Sequence, residues 1–146
     1  MPNIFPTEST TTTQARNQQV KFGKGWRFDF EAGEFVLTPT GKVAPANELE
    51  AYMQWCEKAL RTPRYRHMIY SRNYGSEFDD LIGRGYPKAI VESEITRIVT
   101  ETLMTDPRTG SIQNSSFSWG NDGVYFSCDV YTINTEIVST GLKVVV

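Results

Sequence analysis

The sequence predicts an α+β protein, and three observations carry that prediction. Near the N-terminus, "WRFDFEAGEFVLT" alternates aromatic and polar residues with the period of a strand. In the middle of the chain, apolar residues recur at helical spacing. From Ser111 onward the period returns to two. Strands and helices are therefore segregated along the chain rather than alternating, which is the α+β pattern. The expected order is an N-terminal β-hairpin, three helices and a C-terminal antiparallel sheet or hairpin. At 146 residues the chain fits one domain that buries roughly 70% of its unfolded surface.

Residues 1–22 are expected to be a flexible arm, and residues 23–146 a single domain. The arm begins "MPNIFPTESTTTTQARNQQ", too polar for a core of its own. Ile4 and Phe5, between Pro2 and Pro6, leave two readings open: a frayed tail, or an arm that docks through those residues. Phe28, Phe30, Phe35 and Leu37 flank Ala32-Gly33, giving a hairpin with one aromatic face, and "PTGK" at 39–42 is a turn.

Asn47 is placed to cap a first helix that runs to about Arg61. Leu49, Tyr52, Met53, Cys56, Ala59 and Leu60 form its buried stripe. Thr62-Pro63 stops it, since a residue before proline avoids the α region. Ser76 with Asp79 resembles a capping box, predicting a short second helix over 77–82 that ends at Gly83 and Gly85. Pro87 suits the first turn of a third helix over 87–104. Its stripe is Val91, Ile95, Ile98 and Thr102, with Val99 and Leu103 beside it. Phe117 and Trp119 then lead into "GNDG", a hairpin turn signal. Val124, Phe126, Cys128 and Val130 alternate with Tyr125, Ser127, Asp129 and Tyr131, and "TEIVSTGLKVVV" supplies further strand.

Composition excludes several function classes. Fifteen Lys and Arg against seventeen Asp and Glu leave a net charge of −2, without the basic excess that phosphate binding requires. No nucleic-acid partner is expected, although "RTPRYRHMIYSRNYGSE" (61–77) interleaves four arginines with three tyrosines and the single histidine. Cys56 and Cys128 stand far apart in apolar contexts and read as buried thiols, in keeping with a reducing cytoplasm. With one His and no CxxC, no metal site is expected, and no motif calls for a cofactor. There is no signal-peptide pattern, and no apolar run is long enough to span a bilayer, so no membrane is expected. No catalytic residue is assigned. Glu77, Asp79, Asp80, Glu92 and Glu94 supply the material for a glycosidase pair, and the alternative they support is a tail-associated peptidoglycan hydrolase. Helix faces and caps account for the same five carboxylates.

Three segments carry a resemblance: "FDFEAGEFVLTPTGKV", "WCEKALRTPRYRHMIYSRNYGSEFDDLIG" and "ESEITRIVTETLMTDPRTGSI". They resemble the baseplate sheath-initiator proteins of contractile phage tails, more narrowly the branch in phages and defective prophages of Gram-positive bacteria. The likeness covers about residues 26–135. The family is named after a lysozyme-like baseplate protein, a label that implies no muralytic activity. What the resemblance implies is a non-enzymatic virion protein of the tail baseplate, assembled in the bacterial cytoplasm as several copies in a symmetric ring. Its implied partners are baseplate wedge proteins, the tail sheath protein and tail tube or hub proteins.

The resemblance also assigns residues. The family's Glu-Pro-Arg before the sheet, which contacts the wedge, stands here as Asp106-Pro107-Arg108, its acid one methylene shorter. The family's T-x-x-x-R…Y-G segment falls on Thr62, Arg66, Tyr74 and Gly75, and implies a structural loop with a buried arginine holding carbonyls. Arg61, Arg64 and Arg72 are then left for acidic partner surfaces. Sheath binding is expected of the strands from Val124 to Val146, with Val124, Phe126, Val130, Leu142, Val144 and Val146 as the bearing residues. "GLKVVV" is β-prone and weakly charged, and an unpaired edge of that kind recruits strands from other chains. Its other reading is a strand that merely completes this chain's own sheet.

Overall fold

The computed structural model describes residues 19–145. Short strands β1 (Gly25–Trp26), β2 (Phe28–Asp29), β3 (Glu34–Phe35) and β4 (Pro45–Ala46) come first, followed by helix α1 (Glu48–Arg61). A single 3₁₀ turn (Phe78–Leu81) precedes helix α2 (Lys88–Leu103). Strands β5 (Thr109–Trp119), β6 (Gly123–Thr132) and β7 (Ile137–Val145) form one antiparallel sheet in the order β5-β6-β7. The α+β class holds, with two α-helices where the sequence predicts three.

The expected aromatic hairpin is two small ribbons. β2 pairs with β3, setting Phe28 opposite Phe35, and Phe28 packs edge-on to Phe30 and Phe35 at 5.1 Å each. The chain then turns at 39–42 and returns so that β4 pairs with β1. Phe22, assigned by sequence to the arm, lies edge-on to Tyr52 at 6.1 Å and belongs to the body.

α1 begins as its sequence predicts. The Asn47 side chain accepts from the Glu50 N–H at 2.8 Å, and the Glu50 carboxylate accepts from the Asn47 N–H at 3.0 Å. This reciprocal pair satisfies two donors that a helix start otherwise leaves unpaired. α1 ends at Thr62, where φ −89° and ψ 120° leave the helical region ahead of Pro63.

The predicted helix over 77–82 shrinks to one 3₁₀ turn, and Ser76 explains why. Instead of capping, its hydroxyl donates to the Leu60 carbonyl at 2.7 Å, and its backbone bridges Pro63. Ser76 is therefore held by the end of α1, and Gly83 turns the chain at φ +73° a few residues later. The interval has room for one tight turn only. Pro87 sits just outside α2, where its carbonyl accepts from Ile90 and Val91.

One core joins all the large elements. Tyr52, Cys56 and Leu60 of α1 meet Val91, Ile95, Ile98, Val99 and Leu103 of α2 over the inner face of the sheet. That face is Val124, Phe126, Cys128, Val130, Val138 and Val144. Each fully buried aliphatic side chain contributes about 1.5–3 kcal/mol. Burial pushes the Cys56 thiol up to about 12 and the Cys128 thiol up to about 11, so both stay protonated and unreactive.

Glu50 sits below the ordinary carboxylate value of 4.5 because the Asn47 N–H and then the Arg27 side chain bind its charged form. A depressed native value means that its contribution to stability is complete above pH 4.5 and fades as pH falls through the native value. Thermal unfolding followed against pH should show Glu50→Gln less stable than wild type near neutrality. The gap should narrow under acid.

Candidate assembly surfaces

The Asp106-Pro107-Arg108 turn joins α2 to β5, and its arginine is occupied from within. Asp106 accepts from the Arg108 N–H at 2.8 Å, from Nε at 2.9 Å and from Nη2 at 2.7 Å. The short acid reaches its own arginine with both oxygens. The guanidinium also lies over the Tyr52 ring at 4.9 Å and the Trp55 ring at 5.7 Å, a cation–π platform from α1. Tyr52 in turn bonds the Thr109 hydroxyl at 2.6 Å, and Thr109 donates to the Leu103 carbonyl at 2.7 Å. Side-chain exposure is only 15% for Arg108 and 10% for Asp106. The ion pair is therefore a structural joint, and what it shows outward is its rim. That rim adjoins a cleft of about 380 Å³ shared with Gln19, Val20 and Lys21. Tyr52 and Trp55, three residues apart on one helix face, are the ring pair under Arg108 that sequence reasoning missed. Their i,i+3 spacing was the available signal.

The loop from Thr62 to Ser76 is clasped at its neck. Arg64 N–H donates to the Ser76 carbonyl and Ser76 N–H to the Thr62 carbonyl, each at 2.9 Å. Gly75 adopts φ +102°, and a Cβ there would lie 2.7 Å from the Thr62 carbonyl oxygen. Thr62 and Gly75 thus form the neck. Tyr74 packs between Trp55 and Tyr70 on the side of α1, with ring centroids at 6.3 Å and 4.5 Å. Arg66 is a correction: it is 65% exposed and only meets Asp79 at 3.3 Å. The covered arginine is Arg64, 11% exposed, which donates to the Gly75 carbonyl and pairs with Glu77. The Arg64 backbone is tied at the neck by its N–H bond to the Ser76 carbonyl, whereas Arg66 lies out along the loop. Arg61 pairs with Glu57, so neither Arg61 nor Arg64 is spare.

The sheet has two unlike edges. β5 shifts register twice, between Thr109 and Ser111 and between Gln113 and Ser116, with Asn114 at φ +54°. Such bulges bend an edge and discourage further pairing. β7 keeps one unbroken register from Gly123↔Val145 to Tyr131↔Ile137. The Gly120 N–H to the Gly123 carbonyl, and the Thr132 N–H to the Glu136 carbonyl, fix which residues bond across each strand pair. By alternation, Ile137, Ser139, Gly141, Lys143 and Val145 turn their N–H and C=O groups away from β6. Among the described residues no strand pairs with that edge.

This geometry corrects part of the expected sheath-binding set. Val124, Phe126 and Val130 lie on β6, paired on both sides, with side chains buried in the core. A central strand has no main-chain groups left to offer. Val144 and Leu142 also aim inward, Val144 buried and Leu142 half-buried, so β7 presents backbone and not those side chains. Val146, Ile4 and Phe5 lie outside the described residues.

Four of the five carboxylates offered for a hydrolase pair, all but Asp80, have structural duties. Glu77 pairs with Arg64, Asp79 with Arg66 and Glu94 with Arg97, while Glu92 accepts from the Trp119 indole N–H at 2.7 Å. His67 stands edge-on to Tyr70 at 6.2 Å on the loop.

A small α+β body with one regular sheet edge and one bulged edge, and a loop clasped at its side, has the form of a structural assembly module. Residues 24–135 match the model of the contractile injection system sheath initiator family, and the chain belongs to that family, which is structural and not catalytic. It is also similar to the Bacillus subtilis (strain 168) "Phage-like element PBSX protein XkdS". The two are 28% identical over 120 residues, spanning 82% of this chain and 81% of that protein.

Two substitutions test the joints. Arg108→Ala leaves the Asp106 carboxylate buried without its cation, and urea denaturation should show a loss of about 3 kcal/mol. Gly75→Ala forces a left-handed residue against the Thr62 carbonyl, with an expected cost of about 2 kcal/mol in the same measurement.

Proposed function

We propose that this protein is a structural component of a contractile tail baseplate that starts sheath assembly through the open edge of β7. The observation that carries the reading is the contrast between the two sheet edges: β5 is bulged and β7 is regular. A strand from the first sheath subunit adds alongside Ile137–Val145, main-chain hydrogen bonds supplying the contact. Beside the far end of β7 lies a cleft of about 360 Å³, with Leu60, Phe78 and Ile82 along it, that suits a side chain of the incoming strand.

On this reading the rim of the Asp106-Pro107-Arg108 joint seats the protein on wedge subunits. The bidentate pair keeps that turn in one shape, so the wedge meets a fixed surface. Tube or hub proteins are neighbours in the same ring of copies, the arm with Ile4 and Phe5 docks on one of them, and assembly takes place in the bacterial cytoplasm before the tail is complete. The body beyond the arm acts as one domain.

The test is sheath growth from reconstituted baseplates with the cognate sheath and tube proteins. Truncation after Thr140 also removes Val144 from the core, so Ser139→Pro is the cleaner variant. Its lost N–H points away from β6, a place where an edge strand tolerates proline. Ser139→Pro should remain folded by circular dichroism and fail to nucleate sheath. Sheath growth equal to wild type would refute strand addition at this edge.

A further inference from the structure

The loop clasped at its neck carries an apolar tip that is left bare among the described residues. Met68 is fully exposed and Ile69 is 85% exposed. A rigid neck that presents two bare hydrophobic side chains has the form of a preorganised plug. Its surroundings are basic. From Lys58 to Ser76 the chain has five Lys and Arg and no Asp or Glu. Near the tip, Arg66 meets one exposed partner, and Arg72 has no ion-pair partner among the described residues.

The same chain holds the complement of this tip elsewhere. A groove of about 420 Å³ between α1 and the β2–β3 ribbon has Phe28, Phe30, Val36 and Met53 as its apolar floor. Four carboxylates and one arginine rim it. Glu50 pairs with Arg27 and Glu57 with Arg61, which leaves Asp29 and Glu31 without ion-pair partners among the described residues. The Asp29 carboxylate accepts from the backbone N–H groups of Ala32 and Glu31, which hold it below the usual range and ionised. A second apolar groove lies on the other side of the ribbon, over Trp26, Phe35 and Trp55, but its one charged lining residue is Lys58. Charge therefore selects the first groove for a basic plug.

We propose that the Met68–Ile69 tip of one copy seats in the Phe28–Met53 groove of a second copy. Arg66 and Arg72 then face Asp29 and Glu31. Plug and socket are different surfaces, so the contact is head-to-tail, and repetition produces a closed ring or an open row. The patch is small, so free copies associate weakly, while copies held side by side on a common support gain from high effective concentration. The contact does not rest on the β7 reading, and its test needs no sheath.

The native cysteines are buried, so introduced thiols report alone. Full-length Met68→Cys and Met53→Cys proteins, one carrying a tag, are mixed and oxidised; both positions are exposed and should leave folding unchanged. Mixed disulfide dimers should exceed Met68→Cys homodimers about tenfold, a preference worth about 1.4 kcal/mol. High salt should shrink the excess. Glu31→Lys in the Met53→Cys partner should abolish it, and Arg72→Glu in the other partner should restore it. Equal yields of mixed dimers and homodimers, or no crosslinking, would overturn the proposal. Pelleting of uncrosslinked wild type with phosphatidylglycerol vesicles would overturn it too, and assign the tip to a membrane surface.

Discussion

The fold turns on one charge held between a carboxylate and two rings. Arg108 stands in the turn between α2 and the sheet, held by Asp106 of that turn and by the Tyr52 and Trp55 rings of α1. Its charge is satisfied by Asp106, its faces by Tyr52 and Trp55, and Tyr52 passes the connection on through Thr109 to the last turn of α2. Such a joint is costly to break on one side and gains little by area alone. It fixes the angle at which the sheet leaves the helices, and so fixes where both sheet edges point.

Outward from that joint the body separates into parts with different duties. The inner sheet face and the two helices are packed apolar surface. On the outer face, Asp129 accepts from Asn114 and Ser139, linking β5, β6 and β7 by side chains. The loop neck is tied by backbone bonds, and the Thr102 hydroxyl, which donates to the Ile98 carbonyl at 2.7 Å, stands 3.2 Å from the Gly75 carbonyl. The apolar tip of the loop has none of these supports, and contacts made there leave the core undisturbed.

Much of this was legible in the sequence because the signals were local. Asn47 as a cap, the stripes of both long helices apart from the exposed Met53, the "GNDG" turn and the period-two run from Val124 to Val130 each specify structure within a few residues. The failures share a cause as well. Ser76 looks like a cap until Leu60, sixteen residues earlier, claims its hydroxyl. Arg64 and Arg66 are indistinguishable in the chain, and only the closure of the neck buries the first. Asp106 reads as a carboxylate for a partner because the rings that receive its arginine lie on a distant helix. Which strand is central depends on pairing order, and alternation alone gives no order. The family resemblance marked out a turn and a loop along the chain but could not state what covers them.

The kink at Asn114 has a consequence for stoichiometry. A sheet with two straight margins has a valence of two and can extend without limit, as fibrils do. Bending one margin out of line reduces that valence to one. If the strand addition proposed for β7 holds, such a body takes a single ribbon onto its sheet, and strand pairing starts at it without running through it.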